Sequence, residues 1–225
     1  QLDGQYDQVI ADLIRITETP APPFKEAKRA ALFAQMLRDA GLTDVSVDEE
    51  GNVLALRPGQ ADGPVFVVSA HLDTVFPEGT TITVTRDGDR LLAPGIGDDS
   101  LGLASILAWV RIMDANAITT RQPILFVGTV GEEGAGDLRG VRHLLTRGAY
   151  KGRIGSFLSV DNADAARVVH AAVGSRRYRL GFKGPGGHSY GAFGIVNPMA
   201  AMAEAVRGIY AITVPAEPKT TYAAT

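Results

Sequence analysis

Val65–Val75, V-F-V-V-S-A-H-L-D-T-V, opens as a continuous apolar run and closes on a histidine and an aspartate. An apolar run without alternation marks a strand covered on both faces, as in a parallel sheet. It predicts a buried strand that delivers His71-Leu72-Asp73 at its carboxyl end. Two further apolar runs, read as buried strands of the same kind, repeat the pattern: Ile124–Val130 leads into Gly131-Glu132-Glu133, and Phe157–Val160 leads into Asp161. Open α/β sheets bind ligands outside the carboxyl ends of their strands, so these side chains are expected to converge on one crevice. A fourth acidic element, Gly97-Asp98-Asp99-Ser100, precedes the apolar helical run Leu101–Met113.

Outward from these strands the chain alternates. Tyr6–Thr17 places Val9, Leu13 and Ile16 on one helical face, and Pro20, Pro22 and Pro23 end it. Phe24–Ala40 predicts a second helix stopped by Gly41, and Asp137–Thr146 another. Val45–Leu56 and Ile82–Leu92 read as hairpins turning at Glu50-Gly51-Asn52 and Asp87-Gly88-Asp89. Helices interleaved with buried strands predict an α/β fold, a mostly parallel twisted sheet flanked by helices.

After about Ala171 the texture changes. Arg176–Lys183 alternates charged and apolar residues, as a strand with one wet face does. A glycine-rich stretch, Gly184–Gly194, then a helical pattern, Pro198–Ile209, and a strand-like run, Lys219–Thr225, follow. The expected division is a metal-binding catalytic domain over 1–170 and the first half of a smaller α+β lid or dimerisation domain over 171–225.

Composition bounds the chemistry. The 225 residues are 45% hydrophobic and 21% charged, enough to bury a core. A net charge of −3 without a Lys/Arg run gives no drive toward nucleic acid or anionic membrane. No apolar run approaches the roughly 18 residues of a membrane span, so a soluble protein is expected, cytoplasmic or exported with its signal already removed. With zero cysteines, any metal must sit on His, Asp and Glu.

Several converging carboxylates without lysine or arginine would cost several kcal/mol in repulsion and desolvation, which one or two divalent cations remove. One histidine among carboxylates suits zinc, with manganese or cobalt as alternatives. Taken singly, Asp98, Asp99 or Ser100 reads equally well as a helix cap. Glu132-Glu133 alone reads as an exposed turn, and His71 alone as a structural histidine. The common location of the four segments favours the metal. His143 lacks acidic company and is expected at the surface; His170 receives no role.

The stretch Gly187–Gly191, G-H-S-Y-G, matches the G-x-S-x-G nucleophile elbow literally. That motif needs a strand running straight into the serine and a helix leaving at once. Here Gly184–Gly187 separates Ser189 from the strand-like run, and no histidine follows the serine, so the esterase reading is disfavoured.

Taken together, S-A-H-L-D-T-V (Ser69–Val75), A-P-G-I-G-D-D-S-L-G (Ala93–Gly102), G-E-E-G (Gly131–Gly134), S-V-D (Ser159–Asp161) and G-P-G-G-H-S (Gly184–Ser189) carry a resemblance. The sequence resembles the co-catalytic dizinc peptidases and amidohydrolases that include glutamate carboxypeptidase, peptidase T, aminoacylase and succinyl-diaminopimelate desuccinylase. The pieces come in the family's order and span most of the chain.

The resemblance implies two Zn2+ ions, with Co2+ or Mn2+ as alternatives. His71, Asp98 and Asp161 hold one, Asp98 bridges to the second, and Glu133 binds the second. Asp73 orients the His71 imidazole. Glu132 is the general base of metal-assisted amide hydrolysis, and His188, presented by a sharp glycine turn, reaches the substrate carbonyl or carboxylate, often from the partner subunit of a dimer. The implied substrates are small peptides or N-acyl amino acids, cleaved as by an exopeptidase. Family members also hold the peptide after the bridging aspartate in cis, which predicts a cis Asp98–Asp99 bond.

Ser100 stands where the family often has lysine. The family's last metal ligand is a histidine near the carboxyl terminus, and it is not in this sequence. The chain begins at Gln1, as a processed or trimmed product does, and is expected to end inside a fold. The corresponding expectation is at most one tightly held zinc on this chain alone, with little or no activity. The rival to an active hydrolase is a same-fold binding module without catalysis.

Overall fold

In the computed structural model, which describes residues 3–161 and 166–225, helices α1 (Tyr6–Thr17) and α2 (Ala27–Asp39) come first. The hairpin β1 (Asp44–Val47) and β2 (Val53–Arg57) follows, then β3 (Val65–His71) and a small hairpin of β4 (Thr85–Asp87) and β5 (Arg90–Leu92). Helix α3 (Leu101–Ala115), β6 (Ile124–Thr129), α4 (Arg139–Thr146), β7 (Ile154–Ser159) and α5 (Pro198–Tyr210) complete the order. The chain forms two compact units, Gln1–Ala165 and Ala166–Thr225.

The first unit is built on a five-stranded sheet of order β1-β2-β6-β3-β7. β3 runs parallel to both β6 and β7, whereas β2 pairs antiparallel with β6 and with β1. The sheet is therefore mixed: parallel where the acidic segments leave it, antiparallel toward the hairpin edge. Alternation sorts its side chains between two cores. Phe126 of β6, Val68 and Ala70 of β3, and Val53 and Ala55 of β2 pack with Leu13 and Ile16 of α1, Phe33 and Leu37 of α2, and Leu103, Ile106 and Leu107 of α3. Leu125, Val127, Val65, Val67 and Leu54 turn to the other face and meet Leu144 of α4. Each of the larger of these buried side chains, the valines, leucines, isoleucines and phenylalanines, contributes about 1.5–3 kcal/mol.

Register brings the strand ends level. His71 pairs with Thr129 and Ser69 with Ser159, and the ladders run on: Leu72 N–H donates to Thr129 O (2.7 Å), Val160 N–H to Ser69 O (2.7 Å). The segments after β3, β6 and β7 thus leave the same edge of the sheet.

Some elements differ from expectation. β7 is not a buried strand: it lies at the sheet edge with one neighbour, leaving Phe157 and Leu158 more than a third exposed, at 38% and 37%. Helix α4 starts at Arg139 rather than Asp137, because Asp137 and Leu138 both take positive φ. Helix α2 starts at Ala27 rather than Phe24, whose φ is 65°. His143 is buried, not at the surface; its Nε2 lies 3.8 Å from Asp48 Oδ2 and its Nδ1 4.0 Å from Glu50 Oε2. Its acidic company comes from the β1–β2 turn, far away in sequence.

In the second unit α5 starts as its sequence indicates, with Asn197 Oδ1 accepting the Met199 N–H (2.8 Å) and Pro198 in the first turn. The alternating run 176–183 and the terminal run 219–225 form no strands among the described residues. A strand persists only within a ladder, and this unit offers no strand to pair with.

Candidate metal centre

His71, the last residue of β3, is buried, and its main-chain N–H donates to Asp99 Oδ2 (2.8 Å). Its ring Nδ1 donates to the Asp73 carbonyl oxygen (2.9 Å), and its Nε2 faces Asp98 Oδ1 at 2.8 Å, to which the protonated ring donates. Asp73 therefore engages the ring mainly through its main chain; its carboxylate Oδ1 stands 3.7 Å from Nδ1. That buried carboxylate has a second task. Oδ1 accepts the Glu132 N–H (3.0 Å) and Oδ2 the Glu133 N–H (2.8 Å), so one aspartate joins the end of β3 to the loop after β6.

The Asp98–Asp99 peptide is cis, as expected. The two carboxylates part: Asp98 is 63% exposed at its side chain and points to His71 Nε2, whereas Asp99 is buried. Asp99 Oδ1 also accepts the Gly102 N–H (3.1 Å) at the start of α3, so it both caps that helix and holds β3. A Cβ on Gly102 would lie 2.2 Å from that oxygen, so only glycine allows the approach.

Donor atoms of His71, Asp98 and Asp161 lie within 4.8 Å of one another, and so do those of His71, Glu132 and Glu133. His71 is common to both groups. The five side chains named in sequence as ligands or base thus come together, with Asp73 beneath them. Burial raises the Glu132 carboxyl above the ordinary glutamate range, and Asp161, Asp73 and Asp98 add to it against the pull of His71. Burial, with Asp98 and Glu132, raises Glu133. Burial opposes charge on His71, but Asp73, Asp99 and Asp98 outweigh it and lift the ring to about 10. Burial pushes Asp99 up to about 8. For Asp73 burial acts upward too, yet the His71 ring and the Glu133 and Glu132 amides hold it below the usual aspartate range. Carboxylates that resist ionising together around an imidazole have the donor chemistry of a divalent-cation site.

Arg29 was missed in sequence. Its guanidinium is buried beneath the site and donates to Leu72 O (2.9 Å), between His71 and Asp73, and to Thr19 O (2.8 Å). Burial lowers it to about 10, offset by Asp73 and Asp99. Its helical phase was the available signal: Arg29 lies four residues before Phe33 and eight before Leu37, on the apolar stripe of α2.

His188 lies in the second unit and is exposed. Its Nδ1 accepts the N–H groups of Tyr190 (3.2 Å) and Gly191 (3.3 Å), which leaves the proton on Nε2. Gly186 takes a φ of 69° in the turn before it. Ser189 is exposed in a turn with no strand before it and no helix until Pro198, so the nucleophile elbow is absent.

An α/β unit that gathers one histidine and several carboxylates in this way has a donor set suited to a divalent cation. The chain belongs to the peptidase family M20/M25/M40, whose sequence profile matches residues 67–218. It is 31% identical over 122 residues to the N-carbamoyl-L-amino-acid amidohydrolase of Paenarthrobacter aurescens, covering 54% of this chain and 24% of that protein. Among solved structures, the dipeptidase Dug1p of Saccharomyces cerevisiae superposes with a TM-score of 0.67 at 16% identity, over 92% of this chain and 50% of its own. The YXEP protein of Bacillus subtilis, a dinuclear metal-binding peptidase of the M20 family, superposes with a TM-score of 0.54 at 17% identity, over 72% and 45%. The chain thus spans about a quarter of the curated relative and half or less of these structures. No helix among the described residues is long and apolar enough to cross a membrane.

Proposed function

We infer that this chain carries the metal centre and general base of a hydrolase that cleaves an amide or peptide bond in a small peptide or N-acyl amino acid. The observation that carries this reading is the shared histidine: two donor groups meet at His71, and the glutamate pair of one hangs by its amides from Asp73. His71, Asp98 and Asp161 would hold one cation, and Asp98 and Glu133 a second, zinc being the metal the donors suit best. Divalent metal bound there would supply Lewis-acid polarisation of the scissile carbonyl and neutralise the carboxylates.

The remaining work falls to side chains of the chain itself. Glu132, with its proton affinity raised, takes a proton from the attacking water and returns it to the leaving amine. Asp73 holds the Glu132 amide while its carbonyl fixes the His71 tautomer. His188 would offer an Nε2–H to the carbonyl oxygen from the second copy of a dimer, as the family resemblance implies. Residues 1–170 form the catalytic domain in this reading and 171–225 the lid, through which two copies dimerise.

A metal assay on the chain and on a longer version of it tests the proposal. Hydrolysis of dipeptides, tripeptides or N-acyl amino acids should vanish with a chelator, return with Zn2+, and survive a serine-directed phosphonate. Activity that withstands exhaustive metal removal would overturn it. Light scattering on the same samples tests the dimer.

A further inference from the structure

The loop that carries Glu132 and Glu133 is closed at its stem by a residue outside it. The Gly140 N–H donates to Val130 O (3.0 Å), which brings together the two ends of segment 131–139. Asn52, fully buried in the β1–β2 turn, completes that stem on both sides. Its Oδ1 accepts the Val130 N–H (3.1 Å), and its Nδ2 donates to Gly140 O (3.0 Å). The second Nδ2 proton goes to Asp48 Oδ2 (2.8 Å), which fixes the orientation of the amide. Asp48 is itself pinned, since its Oδ1 accepts the N–H groups of Glu50, Gly51 and Asn52 at 2.9–3.0 Å. A Cβ on Gly140 would stand 2.2 Å from Asn52 Oδ1, so this close approach requires glycine. The same turn grips the loop again where Arg139 Nη1 donates to Glu50 O (2.9 Å) and Glu50 Oε1 (3.1 Å).

We propose that Asn52 is a positioning residue for Glu132 and Glu133, the β1–β2 turn acting as a clamp on the stem of their loop. The proposal rests on the metal-site reading for its consequence, but not for its geometry. Asp73 holds the glutamate pair from the site side and Asn52 holds the stem from the opposite end. A loop hung at both ends keeps two carboxylates in register with His71; released at the stem it pivots on Asp73. Small misplacements at such a site are costly, and partners behind metal ligands commonly carry 10–100-fold in affinity.

The test uses Asn52→Leu, which keeps the size of the side chain and removes all three of its hydrogen bonds, and Asn52→Asp, which retains the acceptor facing Val130. Amide hydrogen exchange of the metal-free chain should quicken about tenfold in Asn52→Leu over 130–140, with Val67–Ala70 of β3 unchanged. In the same variant Co2+ should bind about tenfold more weakly, with an altered visible absorption spectrum. Asn52→Asp sets an oxygen against Gly140 O and Asp48 Oδ2 in place of the two N–H donors, so exchange should quicken in it too, most at Gly140. Should Asn52→Leu fail to fold, the exchange pattern of Asn52→Asp decides. Unchanged exchange over 130–140, or an equal rise in β3, overturns the proposal, as does a wild-type cobalt spectrum and affinity in the variant. If the unmutated chain binds no Co2+, the metal reading falls, while the exchange pattern still decides the role of Asn52.

Discussion

The two units hold their histidines in different ways. His71 sits at the end of a central strand, and its orientation depends on Asp73, Asp99 and Asp98, with Arg29 beneath. His188 is exposed and held by the N–H groups of Tyr190 and Gly191, two and three residues on. The helix of the second unit, α5, buries none of its residues, whereas α3 of the first buries seven, Gly102, Leu103, Ala104, Ile106, Leu107, Ala108 and Val110. One histidine is therefore set by tertiary packing and the other by local turn chemistry. Substitutions in the first unit should propagate; those in the second should stay local.

The largest expected effect is at Glu132. Glu132→Gln, in a form of the protein that turns over substrate, should retain its metal and lose about 10²–10⁴ in kcat. Near-normal turnover of the metal-loaded variant would remove Glu132 as the base. Next comes Arg29→Met, which leaves Leu72 O and Thr19 O without their donor and Asp73 and Asp99 without their buried cation. It should cost about 3 kcal/mol of stability in denaturant unfolding. A loss within about 0.5 kcal/mol would mean that the guanidinium merely fills space.

Asp73→Asn acts mainly on the loop, because the main-chain carbonyl that holds the His71 ring is kept. An amide can accept from only one of the Glu132 and Glu133 N–H groups and sets its own NH2 against the other. Zn2+ affinity, measured by competition with a chromophoric chelator, should fall about 10–100-fold. Unaltered affinity would show that the loop finds its place without Asp73. The smallest effect is expected in the second unit. Asn197→Ala removes the cap of α5 and should cost about 1 kcal/mol locally, read as faster exchange within 198–210. A shift in the unfolding of the first unit would break the contrast.

Much of the site was legible. His71, Glu132, Glu133 and Asp161 follow apolar runs whose ends parallel strands gather by register, whereas Asp98 stands before the apolar helix α3 in a segment held to β3 by the Asp99–His71 hydrogen bond. Tyr6–Thr17, Leu101–Met113 and Pro198–Ile209 read as helices. Each of these signals lies within one element. The strand expected over 176–183 failed for the complementary reason: alternation describes a surface suited to a sheet, but a neighbour must supply the ladder.

Sequence by itself thus determined which residues are available to the site and on which strand ends they stand, because apolar runs and turn residues act locally. Tertiary structure decided what holds them. Arg29 beneath Leu72, Asn52 at the stem of the glutamate loop, His143 against Asp48, and the choice between the carbonyl and carboxylate of Asp73 all depend on groups from separate elements. Buried polar groups must find partners wherever packing places them, and that placement is a property of the assembled sheet and helices rather than of any segment.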